Sequence, residues 1–181
     1  MVNLFFAHGV LAGWLGIAAL ILGCGAWLLK DRERVLILAG IGSFFWAGHF
    51  LLIGAASAGA VNIVVSLRTV LASRVKSAHA RHALFFSFFV IFILISYFTW
   101  QGPISLAPVL AAIWATFCYA YLPNIQMRIA VLLSSLLWLG QSIYWESWQN
   151  MLSEILKIGV TFIGLARLKA HEVKLLRENV E

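Results

Sequence analysis

Charge is what this chain has least of. Of its 181 residues only 11% are Asp, Glu, Lys or Arg and 62% are hydrophobic, at a mean hydropathy of +0.94, where a soluble domain carries roughly a quarter charged residues. That composition excludes a soluble enzyme core, and a nucleic-acid partner is not expected in spite of the net charge of +6. Cysteine is nearly absent too: Cys24 and Cys118 both fall inside apolar runs, read as small packing residues, and offer no secreted-type disulfide framework. There is no His-Glu-x-x-His, no cysteine pair at metal spacing, no Gly-x-Ser-x-Gly and no phosphate-binding loop. No enzyme activity, metal or cofactor is therefore expected. The apolar runs do not alternate with polar residues, which excludes an outer-membrane barrel. No basic segment precedes the first run, so that run reads as a spanning helix and not as a cleaved signal peptide.

What is present is a series of apolar runs, each near the length of about 20 residues that a bilayer-spanning helix needs. They lie at residues 7–29, 35–54, 57–73, 83–100, 106–122, 129–145 and 149–168. Seven spans predict that the N-terminus and the turns near 55, 101–105 and 146–148 share one side of the membrane. Of the 13 Lys and Arg residues none falls there, and all but Arg68 and Lys157, which lie within spans, fall on the other side. Cytoplasmic loops are enriched in positive charge, which predicts an outside N-terminus and a cytoplasmic C-terminus. Trp27, Trp100, Trp145 and Trp148 lie near span ends and read as interfacial anchors.

Sliding the chain by 92 residues superposes Ser43, Trp46 and Gly48 on Ser135, Trp138 and Gly140, and brings His49 onto Gln141 and Asn62 onto Glu154. Two three-helix units can point the same way only if a further helix carries the chain back across the membrane. The run at 83–100, with six Phe and no Gly, suits that role as a lipid-facing linker. The expected fold is an all-α membrane protein of seven transmembrane helices in two parallel three-helix repeats (3+1+3): residues 7–73, a linker helix at 83–100, residues 106–168, and a cytoplasmic tail at 169–181. A site is expected between the repeats.

Gly48 to Thr69, GHFLLIGAASAGAVNIVVSLRT, resembles the motif of the YgjV-type bacterial inner membrane family: Gly-His-Phe, a Gly five residues after the His, an Ala-Gly pair and an Arg-Thr. More distantly, the 16-residue step from Trp46 to Asn62 is similar to the second and third helices of the SWEET, SemiSWEET and PQ-loop carriers. That resemblance implies a central pocket lined by a Trp and an Asn from each repeat, here Trp46, Asn62 and Trp138. Glu154 stands where the fourth residue, Asn, is expected, and Lys30-Asp31 and Pro123-Asn124 stand in place of the Pro-Gln pair.

Buried ionisable residues in a span cost about 2.5–3.5 kcal/mol each and usually face a partner or a wet cavity. Glu154 and Lys157, spaced i, i+3, either form a charged pocket or neutralise one another. Arg68 either snorkels to the cytoplasmic phosphates, pairs with Glu154, or closes an inner gate. Thr69 supplies a hydroxyl to the same channel or bonds its own backbone. His49 and its repeat mate Gln141 either bind substrate or tie helices together. The expected function is a carrier for a small polar metabolite, working by alternating access in the lipid bilayer. Its substrate-binding residues are Trp46, His49, Asn62, Trp138, Gln141, Glu154 and Lys157, with Arg68 and Thr69 in gating or structural roles. The mixed charge favours a zwitterion, a heteroaromatic base or an ion-coupled cargo over a neutral sugar. The alternative is a non-transporting sensor or assembly protein in which the charges lock the helices. The sequence also allows a homo-oligomer.

Overall fold

The structure is a computed structural model that describes residues 9–178, with side chains described for residues 9–166. Its helices are α1 Val10–Leu28, α2 Arg32–Leu52, α3 Ala56–Arg74, α4 Ala78–Phe98, α5 Leu106–Tyr121, α6 Asn124–Tyr144 and α7 Trp148–Glu178, with a 3-10 turn, Pro103–Ser105, leading into α5. Several helices begin before the apolar runs because polar residues can cap a first turn. Asp31 accepts from the Arg34 backbone N–H at 3.1 Å, which starts α2 at Arg32. The Ser77 hydroxyl accepts from the Ala80 N–H at 3.2 Å, which starts α4 at Ala78 and not at 83. Helix α6 starts directly after Pro123, so Arg128 belongs to a helix and not to the loop that the hydropathy pattern suggests.

Among the described residues six segments are long and apolar enough to cross a membrane: α1, α2, α3, α4, Pro103–Tyr121 and α6. Helix α7 is not among them. Its first third carries Gln149, Asn150, Ser153, Glu154 and Lys157, which lower its mean hydropathy.

Helix α1 packs on α2 and α7, α2 on α3, α3 on α5, α5 on α6, and α6 on α7. Six helices thus close a ring in the order α1, α2, α3, α5, α6, α7, and α4 lies outside it against α3 and α5. The burial of α4 explains its position: Leu84, Phe88, Phe92 and Ser96 form a buried stripe at i, i+4 spacing, while Tyr97 and Phe98 are each 78% exposed. Small buried residues fill the inside of the ring, among them Ala19, Ala26, Ala58, Ala111 and Ala112, and let the helix backbones approach closely.

Helix bounds coincide under a shift of 92 residues. That shift carries Arg32–Leu52 onto Asn124–Tyr144 and the start of α3, Ala56, onto the start of α7, Trp148. The two turns between these helices match bond for bond. The Ile53 N–H donates to the His49 carbonyl and the Trp145 N–H to the Gln141 carbonyl, both at 3.1 Å; the Ala55 N–H donates to Phe50 and the Ser147 N–H to Ser142, both at 2.9 Å. Both turns need a left-handed residue, Gly54 at φ 84° and Glu146 at φ 51°. Glycine adopts that conformation freely, whereas an L side chain is strained there by about 1–2 kcal/mol. Glu146→Gly is therefore expected to raise stability by about 1 kcal/mol, and Gly54→Val to lower it; thermal unfolding of the detergent-purified protein checks both signs.

Candidate functional site

At the end of the ring that carries the 29–31 and 122–123 connections, the last carbonyls of α1 and α5 have no partner within their own helices. Arginines from across the ring supply the donors. Arg32, at the start of α2, donates to the Tyr119 carbonyl of α5. Arg128, one turn into α6, donates to the Trp27 carbonyl at 2.8 Å and the Leu29 carbonyl at 2.6 Å, and its Nε donates to Asn124 at 3.2 Å. Trp27 and Tyr119 are 92 residues apart, and the caps cross over: α6 caps α1 and α2 caps α5. Arg128 is 0% exposed and its guanidinium lies 5.8 Å from the Trp27 ring. Helix α7 approaches so closely here that a Cβ on Gly164 would meet the Trp27 carbonyl oxygen at 2.7 Å and Arg128 Nη1 at 3.1 Å.

At the other end His49 ties α2 to α1 and to the turn that leads into α7. Its Nδ1 bonds the Ala12 carbonyl and its Nε2 the Ser147 hydroxyl, each at 2.8 Å. A carbonyl only accepts, so Nδ1 carries the hydrogen, and a neutral ring then takes the serine hydrogen on Nε2. Gln141 repeats the first of these bonds. With its amide oriented to satisfy both groups it donates to the Ile104 carbonyl at 3.0 Å and accepts from Trp145 Nε1 at 2.9 Å; Ala12 and Ile104 are again 92 apart. Gln101 ties the same end to α3, donating to the Gly54 carbonyl at 3.0 Å and accepting from the Ser57 N–H at 3.4 Å.

Between these two ends lies a cavity of about 80 Å³, several times the roughly 10–15 Å³ that one water needs. Trp46, Asn62, Trp138, Glu154, Lys157 and Arg68 all line it. Much of the lining comes in pairs related by 92: Trp46 with Trp138, Asn62 with Glu154, Val65 with Lys157, Trp27 with Tyr119, Gly42 with Ser134. Phe50, another lining residue, stacks on Trp138 at 5.7 Å between centroids and lies 5.9 Å from Trp46, forming an aromatic wall across the two helix groups. Lys157 donates to Glu154 Oε1 at 2.5 Å, and the side chains are 18% and 3% exposed. Glu154 Oε2, also buried, has no hydrogen-bond partner among the described residues.

His49 and Gln141 are not among the lining residues. Thr69 is buried and donates to its own helix at the Val65 carbonyl, 2.6 Å away. Arg68 does not snorkel. It is 1% exposed, its guanidinium sits 4.7 Å from the centroid of the Tyr119 ring, and its Nε and Nη1 have no partner among the described residues. Trp27 is 3% exposed and lines the cavity, so it is no interfacial anchor. The lining residues that the sequence does not single out include Tyr119, Ser134 and Asn150. The shift of 92 pairs the first two with Trp27 and Gly42.

An all-helical bundle with six bilayer-length apolar segments and a polar chamber at its centre defines a polytopic membrane protein. Residues 10–172 match the model of the Imp-YgjV family, described as bacterial inner membrane protein. The chain belongs to that family. No curated protein and no solved structure matches it, and the similarity to the SWEET, SemiSWEET and PQ-loop carriers finds no support among known proteins.

Replacing Arg128 by Gln removes donors from buried carbonyls, each worth about 1–3 kcal/mol when left unpaired. Arg128→Gln is expected to lower the unfolding midpoint strongly and Gly164→Ala, which pushes Arg128 away from Trp27, to do so in the same direction; a double variant that loses less than the sum of the two would place both on one contact.

Proposed function

We propose that the protein is a small-metabolite carrier of the bacterial inner membrane that works by alternating access. One observation carries the reading: a polar chamber lies midway between the α1–α3 and α5–α7 groups, lined by both, with hydrogen bonds between the groups at each end. Charged and amide side chains grouped around a void in the membrane interior usually serve a ligand or an ion, because they are costly to keep there. The ring order, with α4 outside, and the coincidence of helix bounds under a 92-residue shift support two like-oriented three-helix repeats. Rocking of one repeat on the other would break the arginine contacts at one end and the His49 and Gln101 contacts at the other in turn.

In this reading α7 is the seventh span, its polar face turned into the bundle. The basic end faces the cytoplasm, which is where the positive-charge rule puts the 11 Lys and Arg residues that remain when Arg68 and Lys157 are subtracted from 13. The N-terminus then lies outside. The bonded Glu154 and Lys157 pair favours the second reading, a sensor or assembly protein held by internal charges; the chamber beside that pair favours the carrier.

Uptake by proteoliposomes tests the proposal. Glu154→Gln and Asn62→Ala are each expected to cut uptake of the transported metabolite at least about tenfold, the factor equivalent to one lost charge-assisted bond, while the protein stays folded. Unchanged uptake in both variants would sink it.

A further inference from the structure

Two features of the chamber remain unused by the packing: Nε and Nη1 of Arg68 and the second oxygen of Glu154. Arg68 is almost wholly buried, yet its Nε and Nη1 have no partner among the described residues. The guanidinium carbon lies over the Tyr119 ring, 4.7 Å from its centroid, a contact that leaves Nε and Nη1 without an acceptor among the described residues. Buried guanidinium N–H groups without an acceptor suit the oxygens of a carboxylate, which they bind by charge-assisted hydrogen bonds.

The balance of charge points the same way. The lining holds two cations, Arg68 and Lys157, and one anion, Glu154. Lys157 is engaged with Glu154 Oε1 at 2.5 Å, which leaves the charge of Arg68 uncompensated in the membrane interior. A monoanion would neutralise it. Glu154 Oε2 is buried without a donor, so the same ligand should also carry a hydrogen-bond donor. Size limits the choice further, because about 80 Å³ is roughly half the 150 Å³ cavity that admits a benzene.

We propose that the chamber takes a small carboxylate that carries a neighbouring hydroxyl group. The carboxylate lies on Nε and Nη1 of Arg68 and the donor on Oε2 of Glu154, with Trp46 and Trp138 as the apolar wall. The assignment deepens the carrier reading and rests on it for the passage from binding to transport. Neither a nucleotide nor a sugar phosphate fits, being too large and carrying more negative charge than the site leaves unbalanced.

Calorimetric titration of the detergent-purified protein at fixed ionic strength with glycolate, acetate and chloride is the test. Glycolate should bind more tightly than acetate, and chloride should not compete. Arg68→Gln should weaken that binding about ten- to a hundredfold, and Arg68→Lys, which keeps the charge and loses the planar fork, should fall between. Glu154→Gln should abolish the preference over acetate while acetate still binds. The inference is overturned if no carboxylate binds a protein that melts cooperatively, if Arg68→Gln binds as the unaltered chain does, or if chloride binds as tightly as glycolate. Uptake into proteoliposomes separates this from the broader reading. Binding without uptake sinks the carrier and leaves the site, whereas uptake of some other metabolite without carboxylate binding sinks the site and leaves the carrier.

Discussion

Each first helix in the ring ends in carbonyl groups that its own turns do not satisfy, and in a membrane water is not at hand to satisfy them. Arg32 and Arg128 meet that need, and each does so for the opposite group of helices. The negative end of a helix dipole strengthens both contacts. Neither group is therefore complete on its own, and the spacing between them, hence the width of the chamber, is set at this end by two guanidinium groups against backbone oxygens. Gly164 shows how closely α7 must come for the arrangement to form.

The chamber is built symmetrically and charged asymmetrically. Where the first group has Asn62 and Val65, the second has Glu154 and Lys157, and Arg68 answers Val160. The pair of tryptophans is kept while the polar residues differ, so the shape of the void comes from both groups and its ionic character from one acid–base pair on α7 and one arginine on α3. A hydrophobic wall with a few oriented polar groups is the usual constitution of a small-molecule pocket.

Much of this is legible in the sequence, and the reasons differ by element. The apolar runs locate the helices, because a bilayer tolerates little else at that length. The 92-residue shift is legible because a Trp inside a shared Ser-x-x-Trp-x-Gly is uncommon, and it brings Trp46, Trp138, Asn62 and Glu154 forward together. Hydropathy misplaces Arg128 in a loop because it treats any arginine as a boundary, whereas here the side chain is buried by caps on another helix. Trp27 misleads for a related reason: closeness to a span end suggests the interface, and only the packing of α7 and Arg128 over it shows otherwise. Arg68 is ambiguous in sequence because a long side chain near a helix end reaches water or the interior equally well, and Tyr119, 51 positions later in the chain, decides between them. The pairing of Glu154 with Lys157 needs no fold at all, being one helical turn.

Helix α7 spans 31 residues, close to 46 Å at 1.5 Å per residue, against a hydrocarbon thickness of about 30 Å. In the carrier reading, where α7 crosses the membrane, its last few turns emerge from the lipid as one helix continuous with the segment that bears Glu154 and Lys157. A push on that end from the aqueous phase would then reach the heart of the bundle through an unbroken helix, as a handle moves a key in its lock.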